Sequence, residues 1–140
     1  MRHPILFVCL LMISCTIKPS QEEKSRVIEF TYGGFGDTIY ATLEGYVRSQ
    51  ATKTPFDSMP PLKDVEITVE QTNQKVLTDE KGYFSIATTN SVYNLIVRKK
   101  GYQPLRIMNY ASVDDQFSMV DVILEKGSVL QEYRIPDWKK

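Results

Sequence analysis

Residues 65–70 read Val65-Glu66-Ile67-Thr68-Val69-Glu70, with apolar and polar side chains in strict alternation. A period of two gathers the three apolar groups on one face of an extended chain, whereas a helix would smear them around its circumference. The segment is therefore a half-buried strand, and it sets the pattern to look for elsewhere. Leu43, Gly45 and Val47 alternate in the same way, as do Tyr93, Leu95 and Val97. Val120, Val122 and Leu124 face away from Asp121 and Glu125, and Leu105 with Ile107 makes a shorter segment.

Two further runs, Val76-Leu77-Thr78 and Tyr83-Phe84-Ser85-Ile86, flank Asp79-Glu80-Lys81-Gly82. Those polar turn formers suit a hairpin loop with Gly82 at positive φ, so the flanking runs are expected to pair. Lys99-Lys100-Gly101 separates another two strand runs, and Pro55, Pro60 and Pro61 make residues 52–62 a loop that cannot continue a ladder. Seven strands are counted between residues 40 and 126. Two one-sided sheets bury their apolar faces against each other, so the expected fold is all-β, a seven-stranded antiparallel β-sandwich. No segment has a clear amphipathic helical pattern, although Asn109 to Phe117 is ambiguous and has room for one helical turn. Val27, Ile28 and Phe30 have strand character and are expected at an edge, followed by a loose loop at Gly33-Gly34-Phe35-Gly36. The tail carries Val129, Leu130, Tyr133, Ile135 and Trp138, for which packing on the sandwich and binding a partner both stay open.

The first residues have a different character. Met1-Arg2-His3-Pro4 is followed by an uninterrupted apolar run, Ile5 to Ile13, and then Ser14-Cys15. That run is roughly 14 Å long as a helix, too short for a hydrocarbon core of about 30 Å, and its layout is that of an export signal. Met12-Ile13-Ser14-Cys15 resembles the bacterial lipoprotein signal, with Met12 where leucine is commoner. The resemblance implies cleavage before Cys15 and lipidation of its thiol, with Cys9 discarded in the signal. Several acyl chains anchor a protein stably where one would be marginal. Residues 16–25 (TIKPSQEEKS) are polar and without apolar periodicity, and are expected to form a flexible tether. Glu22-Glu23 behind Cys15 is similar to signals that take Bacteroidetes lipoproteins to the outer face of the outer membrane.

The expected organisation is thus a signal over 1–14, a tether with an edge strand over 15–39, the sandwich over 40–126 and a C-terminal tail over 127–140. Across it, Leu43-Glu44-Gly45-Tyr46-Val47, Thr78-Asp79-Glu80-Lys81-Gly82-Tyr83-Phe84 and Lys100-Gly101-Tyr102 stand in an order that resembles the carboxypeptidase regulatory-like domain. The resemblance covers about residues 40–108 and implies a transthyretin-like sandwich. It departs at residues 49–62, where the family has a short turn. Gly45 is expected where a side chain would obstruct close backbone approach, and Phe84 as a central core aromatic.

The 140 residues carry 17 basic and 17 acidic side chains, a balance that argues against a nucleic-acid partner. The one histidine, His3, lies in the segment expected to be removed, which leaves no imidazole for a triad, metal site or proton relay. No serine lies in Gly-x-Ser-x-Gly. Transthyretin-like enzymes use histidines, so no catalytic residue, metal or cofactor is expected and the chain is read as a non-enzyme. Asp79, Glu80, Asp114, Asp115 and Asp121 match no calcium-loop spacing. Phe35, Tyr40, Tyr46, Tyr102 and Tyr110 are candidates for a sugar- or peptide-binding platform, with structural aromatics as the plainer explanation. The expected function is a non-catalytic protein- or glycan-interaction module, held by lipid to the periplasmic or outer face of a bacterial outer membrane. The alternative is a structural lipoprotein that spaces an envelope assembly.

Overall fold

The computed structural model describes residues 23–35, 41–51, 54–89, 91–112 and 116–137. They form nine strands: β1 Arg26–Phe35, β2 Ala41–Ser49, β3 Glu66–Val69, β4 Lys75–Leu77, β5 Tyr83–Thr88, β6 Ser91–Arg98, β7 Leu105–Ser112, β8 Gln116–Leu124 and β9 Gln131–Arg134. One sheet has the order β1-β8-β2-β5 and the other β4-β3-β6-β7-β9. The two sheets form a sandwich.

The core lies where the alternation put it. Leu43, Val47, Val65, Ile67, Val69, Leu95, Val97, Val120, Val122 and Leu124 are all buried between the sheets. Phe84 is among them at 3% exposed. Gly45 meets β8 so closely that a Cβ there would stand 1.9 Å from the Val120 carbonyl oxygen.

Seven strands do lie between residues 40 and 126, but β1 and β9 add two more. The sandwich is also not wholly antiparallel, because β2 runs parallel to β8 and β7 parallel to β9. Alternation tells which face a residue buries and is silent on which strand lies beside it. The hairpin expectation is corrected for the same reason: β4 pairs with β3 and β5 with β2, so the turn between them crosses from one sheet to the other. Asp79 holds that crossing, its carboxylate accepting from the amides of Lys81 (2.8 Å) and Tyr83 (2.9 Å), and Gly82 has the expected positive φ of 74°. Thr78 is buried beneath it, donating to the Leu62 carbonyl (2.6 Å) and accepting from the Val65 amide (2.9 Å).

β1 is the expected edge strand, yet it continues through Gly33, Gly34 and Phe35, which were read as loop. The ambiguous segment is strand at both ends, in β7 and β8, with residues 113–115 outside the described ones. Its period is broken at Asn109, which has a φ of 67° where β7 carries one residue more than β6 across the pairing, and that kink erases the strand signal. The tail packs on the domain: β9 pairs with β7, Ile135 is buried in the core and Tyr133 packs against it. Trp138 lies outside the described residues, as do residues 1–22 with Cys15.

Candidate functional site

The apolar positions of β2, β5 and β8 turn inward, so their alternate positions build the outer face of the four-stranded sheet. Register lines up Glu29 (β1), Asp121 (β8), Tyr46 (β2) and Tyr83 (β5) in one row across it. The rings of Tyr46 and Tyr83 are 5.4 Å apart and tilted by 54°. Two residues along β2, the Arg48 guanidinium lies 5.7 Å from the Tyr46 ring centre and 5.2 Å from that of Phe56. Both distances are within reach of a cation-π attraction.

Phe56 comes from the proline-rich loop, which is strapped onto β2. Arg48 donates to the Met59 carbonyl (2.9 Å), the Ser49 amide to Pro60 (2.8 Å) and the Leu62 amide to Val47 (3.0 Å). Three prolines limit the chain's freedom, and a short 3-10 turn over Phe56–Ser58 presents Phe56 and Asp57 beside Arg48. Met59 is buried by this packing. The loop and sheet together border an open cleft of about 510 Å³ lined by Tyr46, Arg48, Asp57, Pro61, Glu80 and Lys81. Glu80 is also bonded to Lys63.

The cleft region has hydrogen-bonding capacity that the protein does not use. Asp121 Oδ1 and Arg48 Nε are shielded and have no hydrogen-bond partner in the protein. Burial pushes the Asp121 carboxyl above the usual carboxylate range. The Tyr46 backbone amide opposes this, Glu29 and Asp57 add to it, and Arg48 draws it back. Burial also raises the Tyr83 phenol, helped by the nearby Glu44 carboxylate. A shape-fixed aromatic pair, a guanidinium and carboxylates in one concavity can stack a ring and hydrogen-bond its substituents. The arrangement contains no nucleophile paired with a base.

Of the three platform candidates whose side chains are described, Tyr46 lines the cleft and Tyr102 and Tyr110 do not. Tyr110 is fully buried, with its ring 5.9 Å from Phe30 and 6.4 Å from Tyr93, and Tyr102 packs against the core. Phe35's side chain and Tyr40 lie outside what is described. Tyr83 and Phe56 lie beside the cleft, Tyr83 against the Tyr46 ring and Phe56 against the Arg48 guanidinium. Tyr83 was read only as a strand residue, because nothing in the sequence discloses that its partner across the sheet is Tyr46. Of the acidic candidates, Asp79 is used by its turn and Glu80 by Lys63, Asp121 stands beside Tyr46 across the β2-β8 register, and Asp114 and Asp115 lie outside the described residues. Among the described residues no three His, Cys, Asp or Glu side chains assemble as a metal-binding group.

A second hollow of about 270 Å³ lies between Thr72, Gln74, Ala87, Thr88, Thr89 and Tyr93. Its hydroxyls bond within the protein: Thr89 to Tyr93 at 2.7 Å, and Thr88 to Ser112 at 2.6 Å. It offers a ligand less than the cleft does.

No family model matches the chain, and no curated protein matches it. Among solved structures it is similar to chains in two crystal structures of a type II Cohesin-X-Dockerin complex from Acetivibrio cellulolyticus. One is an N-terminal interface mutant, matched at a TM-score of 0.45 and 21% identity over 64% of this chain and 56% of that one. The other is a C-terminal interface mutant, matched at 0.44 and 19% over the same shares. The matched stretch spans just over half the length of those chains.

Proposed function

We propose that the chain is a non-catalytic interaction module of the bacterial cell envelope, lipidated at Cys15, that binds a protein or glycan partner in the cleft of the four-stranded sheet. The observation that carries the reading is the cluster of Tyr46, Tyr83, Phe56 and Arg48 beside the unpartnered Asp121 oxygen. Its size is that of an ordinary ligand site. The transthyretin-like, carboxypeptidase regulatory-like assignment rests on the motifs at Gly45, residues 78–84 and residues 100–102. The anchor and an outer-membrane address rest on the signal before Cys15 and on Glu22-Glu23. The spacer alternative needed an apolar patch around Tyr133 to Trp138, and in the described part of that stretch Tyr133 is half-buried and Ile135 buried.

Two measurements test the proposal. Palmitate labelling of cells should mark the protein and be lost in Cys15→Ser; label persisting in that variant removes the anchor. Screening purified protein against immobilised envelope oligosaccharides and peptides should give binders that Tyr46→Ala and Arg48→Ala weaken about tenfold or more, while the fold survives. Binders indifferent to both substitutions would place recognition elsewhere.

A further inference from the structure

One pole of the sandwich gathers lysines, exposed apolar side chains and the point where the chain joins the domain. Ser25 is buried there, its amide donating to Gln103 Oε1 (3.1 Å), its hydroxyl donating to the Gln103 carbonyl (2.9 Å) and accepting from the Glu125 amide (2.9 Å). These bonds tie the start of β1 to the β6-β7 turn and to the end of β8. At the same pole the Gly127 amide bonds the Gly101 carbonyl (3.1 Å) and Tyr102 bridges to Lys126. Lys24, Lys99, Lys100 and Lys126 therefore surround the place where the chain leaves the domain. None of the four is in an ion pair among the described residues, although Lys99 donates to the Lys63 carbonyl (2.7 Å), whereas the Lys63 ammonium itself is neutralised by Glu80. Glu23, Asp64 and Glu125 are neighbouring acids, with Glu80 held on Lys63. Val129 and Leu130 lie just beyond Gly127 and Ser128 and are 65% and 47% exposed, although the residues after them return to the sheet.

We infer that this pole is a docking surface for an anionic lipid bilayer, with the lysines against headgroup phosphates and Val129 and Leu130 entering the interfacial layer. The inference rests on the proposed Cys15 anchor, which supplies the geometry. The nine residues between Cys15 and Ser25, read from their sequence as a flexible tether, would have a root-mean-square span of roughly 17 Å. The nine-residue strands place the far pole about 30 Å further out. The pole that carries the lysines is thus the one the tether holds near the lipid. Lysines close to an anionic surface are attracted over about a Debye length, and apolar side chains add a contribution that salt does not screen. A protein partner would meet the same lysines, but the short tether and the paired apolar tip favour the bilayer.

The test uses the acylated protein in vesicles of phosphatidylcholine alone and of a two-to-one mixture of phosphatidylcholine with phosphatidylglycerol. Flotation in high salt reports the anchor, and lysine acetylation read by mass spectrometry reports the pole. Lys24, Lys99, Lys100 and Lys126 should acetylate at least about threefold more slowly on the anionic vesicles, with Lys75 unchanged and the protection lost at ~0.5 M salt. Val129→Ser with Leu130→Ser, both at exposed positions, should reduce that protection. Equal acetylation on the two vesicles, or equal slowing of Lys75, overturns the inference even when the protein floats. A chain that does not float on phosphatidylcholine defeats the anchor reading instead. Docking is then supported by salt-sensitive flotation on the anionic vesicles and overturned by its absence.

Discussion

On the outer face of the five-stranded sheet, Lys75 bonds Glu66 at 3.2 Å, and Thr68 shares the same carboxylate. Arg106 places two nitrogens on Glu70, at 3.1 and 2.9 Å, and reaches Glu132 at 3.4 Å. On the outer face of the four-stranded sheet Arg48 lies against two aromatic rings and bonds a carbonyl, while an Asp121 oxygen goes unmet. The first face pairs its charges with one another, whereas the second leaves Asp121 Oδ1 and Arg48 Nε without a partner in the protein. Exposed ion pairs add little stability, so the difference bears on what each face can bind more than on how firmly it is built.

Substitutions can break or sharpen that contrast. The largest effect belongs to the core both sheets share: Phe84→Ala should destabilise by about 3–5 kcal/mol in denaturant unfolding. An unchanged midpoint would undo the placement of the core and with it the identity of the outer faces. Arg106→Ala, on the self-paired face, should lower the melting midpoint only modestly, and the deficit should shrink in ~1 M salt because the Glu132 pair is exposed and the Glu70 pair only partly buried. A large, salt-insensitive loss would mean that face depends on its charges for its structure.

The smallest effect is the most discriminating, because the two faces should respond oppositely to acid. Asp121's carboxyl is raised in the folded protein, so the fold gains stability as pH falls through that raised value toward the ordinary carboxylate range. Asp121→Asn should therefore match or exceed the parent at neutral pH, and the difference should close on acidification. Glu66 is held below the usual range by its hydrogen bond to Lys75, so its stabilisation is present above the ordinary range and lost as pH falls through the lowered value. Glu66→Gln should trail the parent at neutral pH and converge with it in acid. Melting midpoints across pH measure both, and parallel curves would erase the electrostatic distinction between the faces.

The sequence disclosed the parts of the fold that repeat along the chain. Alternation at Val65 to Glu70 and its counterparts found the buried faces, and Gly45, Gly82 and Phe84 announced their roles through size and conformation. It did not disclose adjacency. The residues 76–78 and 83–86 read as a local hairpin because a turn motif joins them, but Thr78 satisfies two backbone groups at a corner that sends them into different sheets. The cleft was legible only through Tyr46. Tyr83 joins it by register, and Phe56 through a loop whose prolines said where strand ends without saying where the loop would lie.

The pairing of β8 also governs the order in which the molecule can be assembled. Arg26 finds Ile123 and Thr42 finds Phe117, so the four-stranded sheet closes over separations approaching the length of the whole domain. Such high contact order slows folding, since loop closure precedes any return from the contacts it permits. A nascent chain that stops short of Gln116 has β1 without a neighbour and β2 paired only to β5. The four-stranded sheet therefore cannot close until β8 has been made, so its two halves wait apart through most of the chain's synthesis.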